Sequence, residues 1–420
     1  MLKQLFSLNN ELPSAPKGIR ASSFFLALYV ALLPIATGLT GLIGNVSPLN
    51  YIAALYFAVF CIEQVLHPGP LFRKEFLFVY CYFFYMLLSC LWKSNKAIDW
   101  QFTTFLTTAL LFLTAASRSY SDKELKLFVI ASMLSIAIVF AVVAKSFPSH
   151  RLRIRVRVVQ LMDPNDFGCG LCVVIAMIMA MSLQKKNWWM IIVLAMLFLT
   201  VILSSSRGAM LMTVVMMLWW IVAAAKKKRI IVPLIPIIFA AIFLYALVVI
   251  FPSYIKLGPK TIQYILQRMN PATLFKDGGA GRIDIWRAAL AAYTESSPLR
   301  MLFGYGHGAF IDTVEYLYHG EMVSPEAHNM YLKALLEGGA VGLILLLLAF
   351  LQMFLYSIKN NNLWGTLAVI GFALEGFSLH AQVFRVFAWA FIVAAIFKGG
   401  ESYEVLFSAG GDGDRPCLQG

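Results

Sequence analysis

Residues 329–356 read NMYLKALLEGGAVGLILLLLAFLQMFLY, and the class of the fold follows from this apolar stretch and its repetition. About 20 consecutive apolar residues cross the hydrocarbon core of a bilayer as an α-helix, which satisfies its own backbone hydrogen bonds. Comparable stretches recur along almost the whole chain, so we expect an all-α integral membrane protein of about twelve transmembrane helices. The expected spans lie near residues 23–44, 49–66, 76–92, 101–117, 125–145, 167–183, 188–205, 208–225, 230–252, 329–356, 363–379 and 383–397.

The composition agrees with a membrane protein. Of the 420 residues, 60% are apolar and 13% are charged, and the mean hydropathy is +0.77. A soluble domain of this size needs a larger charged and polar surface. The first apolar run is long and lacks a small-residue cleavage site, so no cleavable signal is expected.

Basic loops predict the orientation. With the N-terminus in the cytoplasm, every expected inside loop carries Lys or Arg, as at Arg73 and Lys74 and in the run 226–229, and the positive-inside rule is obeyed. Both termini are then cytoplasmic. The chain divides into nine transmembrane helices (1–252), a periplasmic loop with short helices (253–327), three further transmembrane helices (328–398) and a cytoplasmic tail (399–420). Part of that tail, EVLF, resembles an engineered protease site, so the tail carries no functional argument.

Arginines on the expected outer face require an explanation, because the positive-inside rule disfavours basic residues there. The loop 146–166 holds Arg151, Arg153, Arg155 and Arg157 in alternation with apolar residues, which places four guanidinium groups on one side of an extended segment. Arg207 lies in a tight turn between two spans. Guanidinium matches phosphate oxygens in a bidentate geometry, so an anionic ligand is one explanation. Solvation or pairing with lipid headgroups is the other; both stay open for the run 151–157, and the ligand is favoured for Arg207.

The segment SPEAHNMYLKALLEGGAVGL (324–343) contains the strongest candidate base. Ser324 is a good N-cap and Pro325 fits the first helical position, which would put His328 in the first turn of a membrane helix. A helix N-terminus disfavours the imidazolium and keeps the histidine able to accept a proton. Its position is explained equally well if His328 is an interfacial histidine without a function. Lys333 and Glu337 share a helical face, and we expect them to pair for structural reasons.

Two motifs lie in the long loop, and one lies before it. GRIDIWRAALAAYTESSP begins at Gly281 and predicts a helix with Arg282 at its start and an apolar face made of Ile285, Trp286, Ala289, Leu290 and Tyr293. FGYGHGAF (303–310) is a glycine-rich turn with His307, and no strand precedes it that would support nucleotide binding. Asp163 caps the span that follows DPNDFG, and a functional role stays open because it faces the same side as the arginines. No metal-ligand spacing is found outside, so we expect chemistry without a metal or cofactor.

Four motifs together resemble the O-antigen ligase family of bacterial envelope enzymes: SSSRGA (204–209), GRIDIWRAAL (281–290), GYGHG (304–308) and EAHNMYLKALLEGGAVGL (326–343). That family includes WaaL-type ligases, which the chain length favours, Wzy-type polymerases and protein O-oligosaccharyltransferases. The resemblance implies a GT-C-like glycosyltransferase of the inner membrane, with a long helical periplasmic loop before the penultimate helix pair. It also implies a glycan donor linked to undecaprenyl diphosphate and, as acceptor, a hydroxyl of lipid A–core oligosaccharide.

The resemblance also implies roles for individual residues. Arg207 and Arg282 would bind the diphosphate, and His328 would activate the acceptor hydroxyl. Arg287, Arg155, Arg157 and Asp163 are candidates of second rank. Direct attack by the acceptor would invert the anomeric centre without a covalent intermediate.

A second class of function is a transporter or flippase for a lipid-linked polyanion, which would also use outer arginines. It should show charges near the middle of the membrane or two similar halves. The sequence shows no internal repeat, and the only charged pair on such a path is Lys333 with Glu337. No feature of the chain indicates a nucleic-acid partner.

Overall fold

The structure, a computed structural model, describes residues 14–33, 47–93, 100–146, 164–184, 188–204, 206–245, 281–318, 320–323, 326–379 and 385–398. The described part is mostly helical. In chain order the elements are α1 (Ala21–Leu32), α2 (Pro48–Leu66), α3 (Leu77–Ser89), α4 (Trp100–Ala116), α5 (Asp122–Ser146), α6 (Pro164–Ser182), α7 (Trp188–Ser204), α8 (Arg207–Lys226), α9 (Ile231–Tyr245), α10 (Arg282–Thr294), α11 (Pro298–Phe303), α12 (Phe310–Thr313), β1 (Tyr316–Tyr318), β2 (Glu321–Val323), α13 (Met330–Lys359), α14 (Leu363–Glu375) and α15 (Arg385–Ile396). Short 3₁₀ turns, Lys74–Phe76 and Cys90–Trp92, flank α3.

Each expected span overlaps one of the apolar helices, although residues 34–44 and 246–252 of two spans lie outside the described ranges. Within the described ranges, five helical segments are long and apolar enough to cross a membrane, and further apolar helices are shorter. The five are Pro48–Leu66, Lys74–Trp92, Asp122–Ala141, Arg207–Lys226 and Met330–Lys359. The chain is therefore a multi-pass helical membrane protein, while the count of twelve spans and the GT-C-like architecture stay predictions.

The helices pack into one bundle around α13 and α14. α13 runs along α3, α14 packs against α6 and α8, and α15 packs against α4. The phenylalanines Phe83, Phe105, Phe112, Phe387 and Phe391 contact one another edge to face or in tilted pairs. Phe350 of α13 packs edge to face against Phe387 and Phe391. Such aromatic packing holds α3, α4 and α15 in a fixed relation to α13.

Ion pairs join the helix ends on the face expected to be cytoplasmic. Arg20 Nε lies 2.8 Å from Glu124 Oε1, and Arg118 pairs with Glu63. The Arg118 guanidinium also lies over the Phe60 ring, 4.0 Å from its centroid. Arg20 and Arg118, both on the basic face expected to be cytoplasmic, therefore tie α1, α2 and α5 together.

One small antiparallel hairpin departs from the all-α expectation. β1 and β2 pair with Tyr316 opposite Val323 and Tyr318 opposite Glu321. The hairpin follows α12 and contacts α10. It lies in the segment between α9 and α13, which was predicted as a loop with short helices. The bundle itself therefore remains helical.

Candidate functional site

Arg207 is placed at the positive end of a helix. It is the first residue of α8, and the buried Ser206 is the N-cap, whose hydroxyl accepts a hydrogen bond from Ala209 N at 3.4 Å. The Arg207 side chain is half-buried. A guanidinium and the free N–H groups of a helix start favour the same ligand, an anion.

The start of α8 is pressed against the end of α14. A β-carbon on Gly208 would lie 1.9 Å from Ser378 Oγ and 2.9 Å from Glu375 Oε1. Ser378 Oγ donates a hydrogen bond to Glu375 Oε1 at 2.9 Å, and Glu375 is fully buried. The absence of a side chain at Gly208 therefore lets the start of α8 lie close to the buried Glu375 carboxylate.

His328 stands just before a helix, so the prediction that it lies inside the first turn was wrong. The N-cap of α13 is Asn329, whose Oδ1 accepts hydrogen bonds from Tyr331 N and Leu332 N, each at 3.0 Å. Asn competes well for the cap position because its short side chain reaches those N–H groups. His328 itself has a left-handed backbone with φ of 44°, which is costly for a residue with a β-carbon.

The His328 loop is tied to the same end of α14. Met330 N donates a hydrogen bond to Gly376 O at 2.7 Å, and the Tyr331 hydroxyl donates to Ala373 O. A β-carbon on Gly376 would lie 2.6 Å from Met330 Cε. The starts of α8 and α13 therefore meet at residues 375–378, and this contact brings Arg207 and His328 to one end of the bundle.

Arg282 approaches from the loop segment. It is the first residue of α10, preceded by Gly281 with φ of 81°, as predicted. One helical turn later, Trp286 Nε1 donates a hydrogen bond to Ala327 O at 3.1 Å. Residues four apart share a helical face, so Arg282 lies on the side of α10 that faces the residue before His328.

The buried face of α10 was predicted with one error. Ile285 and Ala289 are buried in a small core, and Trp286 and Tyr293 pack against it. Leu290, which was predicted on the same face, is 47% exposed. The core is completed by Phe310, Val314, Ala327, Leu332 and Leu336, so α10 rests on the first part of α13.

The GYGHG motif is a turn that fits into a kink of α13. Gly304, Gly306 and Gly308 have φ values of 74°, 102° and 79°, a region that favours glycine. Gly306 N donates to Glu337 O at 2.8 Å. The α13 backbone is not helical at Gly339, where φ is 64° and ψ is −167°. The motif therefore has a structural explanation and shows no nucleotide-binding geometry.

Glu337 is the centre of a buried charged cluster. Its Oε1 lies 2.6 Å from Lys333 Nζ and accepts a hydrogen bond from Phe310 N at 3.2 Å. His307 Nδ1 lies 3.2 Å from Glu337 Oε2, although the ring is not aligned for a hydrogen bond. All three charged or titratable side chains are almost completely buried. The predicted pairing of Lys333 with Glu337 is confirmed.

The cluster extends to the His328 loop. Lys333 Nζ donates to Gln101 Oε1 at 2.9 Å, and Gln101 Nε2 donates to Glu326 Oε1 at 3.3 Å. Glu326 is two residues before His328. Polar contacts thus connect α4, α13 and the loop that carries the candidate base, and they restrict how far that loop can move.

Other predicted residues fall elsewhere. Arg287 points to solvent on α10 and pairs with Asp284 at 3.3 Å, with side chains 77% and 65% exposed. Arg155, Arg157 and Asp163, like the tail 399–420, lie outside the described residues. Sequence reasoning missed Glu375, although a carboxylate inside an apolar span was a signal that it has a partner or a function.

Comparison with known proteins supports the resemblance. Residues 191–347 match the family model for O-antigen ligase (Wzy_C). This region runs from α7 into α13 and contains all four motifs, so the resemblance drawn from them is confirmed there. No curated protein matches the chain.

Proposed function

We propose, from the O-antigen ligase region at residues 191–347, that this protein transfers a glycan from undecaprenyl diphosphate to a sugar hydroxyl of lipid A–core oligosaccharide. The reaction would take place at the periplasmic face of the bacterial inner membrane, with both termini cytoplasmic. The family match supports an enzyme of the ligase or polymerase type. The observation that supports the proposed site is the meeting of the starts of α8 and α13 at residues 375–378, with α10 against the same loop.

The donor diphosphate would be held by Arg207 and Arg282. Each is the first residue of a helix, so each combines a guanidinium with the positive end of a helix dipole. When the glycosyl–phosphate bond breaks, negative charge develops on the leaving diphosphate. Preorganised cations stabilise that charge without having to reorient during the reaction. The two arginines would therefore provide the charge stabilisation, and the proposed reaction uses no metal ion and no cofactor.

The acceptor hydroxyl would be activated by His328. It directly precedes the N-cap of α13, and as a neutral imidazole it would take the hydroxyl proton as the oxygen attacks the anomeric carbon. The C–O bond to the diphosphate breaks with its electron pair remaining on the phosphate oxygen. Attack opposite the leaving group inverts the anomeric configuration, and no glycosyl-enzyme forms.

Members of the family with other acceptors remain the nearest alternatives. A polymerase would use the sugar hydroxyl of a second lipid-linked glycan, and a protein O-oligosaccharyltransferase would use a hydroxyl side chain. A lipid-linked polyanion transporter is the alternative without chemistry. The buried Lys333–Glu337 pair is tied to His307 and Gln101, which gives it a structural role and leaves little support for transport.

One reconstitution separates these functions. The purified protein is incubated in nanodiscs with undecaprenyl-diphosphate glycan and lipid A–core, without added metal. A ligase forms glycosylated lipid A–core and releases undecaprenyl diphosphate in equal amounts. Elongated donor without that conjugate would identify a polymerase, and translocation of intact donor in vesicles would identify a transporter. Absence of all three products with a folded, donor-binding protein would refute the proposed reaction.

A further inference from the structure

The short helix α11 has an apolar face that the described part of the chain leaves exposed. Leu299, Leu302 and Phe303 are 70%, 46% and 40% exposed, and their spacing puts them on one side of the helix. Arg300 is turned inward, where its Nη1 donates a hydrogen bond to Gly304 O at 3.2 Å. Single exposed apolar residues are common, but three neighbours on one short helix form a patch.

The patch is located beside two membrane helices. A β-carbon on Gly339 in α13 would lie 2.3 Å from Leu302 O. The Tyr85 hydroxyl of α3 donates to Phe303 O at 3.0 Å and to Gly338 O at 2.7 Å. The end of α11 is thus wedged between α3 and the kink of α13.

The length of α13 indicates where the kink at Gly339 lies relative to the membrane. Its 30 residues extend about 45 Å at a rise of about 1.5 Å per residue, whereas the hydrocarbon core is about 30 Å thick. Lys333 and Glu337 precede Gly339, and no charged residue follows until Lys359. The segment 340–358 therefore fills the core, and Gly339 lies at one of its boundaries.

The apolar face of α11 continues the surface that the bundle presents to lipid. Along the core segment of α13, Ile344, Leu347, Leu351 and Leu355 are about half exposed in one stripe. That stripe begins little more than one helical turn after Gly339. Phe84 and Leu88 of α3 and Leu91 in the 3₁₀ turn after it are similarly exposed, next to Tyr85. α11 therefore lies beside both exposed stripes, at the end of the one on α13.

We propose that α11 is an interfacial anchor that inserts Leu299, Leu302 and Phe303 among the phospholipid acyl chains of the leaflet next to Gly339. Apolar side chains at such a boundary gain free energy by leaving water, whatever the lipid headgroup. The anchor also reaches the candidate site, because the Tyr293 hydroxyl of α10 donates to Met301 O at 2.9 Å. Fixing α11 at the membrane boundary therefore fixes the height of α10, the helix that begins with Arg282.

Photo-crosslinking tests this contact directly. Leu299 is replaced by p-benzoylphenylalanine in the full-length protein, which is reconstituted in phosphatidylethanolamine–phosphatidylglycerol nanodiscs and irradiated. Mass spectrometry of the peptide then reports phospholipid adducts. We expect adducts at position 299 and also at position 302, which serves as a second labelling site if the first variant does not fold.

Asp284 is the matched control. It is exposed on α10, the helix whose Trp286 bonds to the Ala327 carbonyl, so labelling there should give no phospholipid adduct. Lack of adducts at both 299 and 302, or equal adducts at 284, would overturn the anchor. Adducts at 299 that form only after lipid A–core is added would overturn it as well, since the patch would then bind the acceptor instead of the bilayer. None of these outcomes depends on glycan transfer.

Discussion

Gly304 and Gly339 exclude side chains from each other. A β-carbon on Gly304 would lie 2.5 Å from Gly339 N, and a β-carbon on Gly339 would lie 2.6 Å from Gly304 N. Both residues have positive φ, 74° and 64°. Since the contact is with backbone, no rotation of a side chain can relieve it. The GYGHG turn and the kink of α13 therefore pack closely only because both positions are glycine.

Gly339→Ala should therefore destabilise the protein more than an ordinary glycine substitution. Backbone strain and overpacking together cost roughly 2–5 kcal/mol. Gly320→Ala is the matched control, because Gly320 also has positive φ, 86°, but a β-carbon added there would meet no atom within 4 Å; strain alone costs about 1–2 kcal/mol at that position. Apparent thermal midpoints in one detergent compare the two. Equal midpoints would show that the close contact is not needed for stability.

His328→Ala should abolish glycan transfer and leave donor binding intact. A positioned base contributes about 10²–10⁴-fold to a rate, so the loss should be at least that large in the reconstituted assay. Binding of the lipid-linked donor is measured in the same preparation, with a single gel-filtration peak as the folding control. Near-normal transfer by a folded variant would remove His328 from the mechanism, and loss of donor binding would move it into the diphosphate site.

Arg207→Ala should weaken both donor binding and transfer, because it removes a charge-assisted contact to phosphate. Arg207→Lys should restore only part of either, since an ammonium keeps the charge but loses the bidentate geometry. Donor titrations of the three proteins give the comparison. Full recovery by lysine would mean that Arg207 acts through charge alone.

Arg282→Ala and Arg287→Ala form a matched pair on one helix. Arg282 is one helical turn before Trp286, which bonds to the Ala327 carbonyl next to His328. Arg287 instead forms an exposed pair with Asp284, and exposed pairs contribute about 0–1 kcal/mol. We expect a marked rise in the donor KM for Arg282→Ala and a small change for Arg287→Ala. A larger rise in the donor KM for Arg287→Ala than for Arg282→Ala would indicate that Arg287, and not Arg282, contacts the diphosphate.

Chelator should leave transfer nearly unchanged, because charge stabilisation is assigned to arginines. Activity is followed with EDTA present and after addition of magnesium or manganese. Loss in EDTA that either metal restores would reveal a carboxylate site that we have not assigned.

Topology is tested with cysteines on the two faces. Glu315 and Lys226 are both exposed, one in the segment after α12 and one at the end of α8. Glu315→Cys should react with an impermeant thiol reagent in intact spheroplasts, and Lys226→Cys should react only after lysis, with the parent protein as background. The opposite pattern would overturn the orientation and the periplasmic site.

Much of the architecture was predictable, because a bilayer accepts few structures. Each apolar run, as far as the structure describes it, is helical, since a lipid-exposed backbone must satisfy its hydrogen bonds within the segment. Local rules also placed a helix start at Arg282, whereas Arg207, which was predicted in a turn, is the first residue of α8. They failed at His328, where two caps competed: Ser324 was predicted, but Asn329 accepts the first N–H groups of α13.

The sequence by itself determined the membrane class, the positions of the helices and the motifs that identify the O-antigen ligase region, because these depend on hydrophobicity and on residues close together in the chain. Only the tertiary structure decided which helix ends meet. Gly208 contacts Glu375 and Ser378, and Met330 bonds to Gly376, across separations that no local pattern encodes. The same holds for the contact between Gly304 and Gly339 and for the exposed apolar face of α11. Close backbone contacts and exposed faces arise only when distant segments pack, so their physical cause lies in the folded bundle.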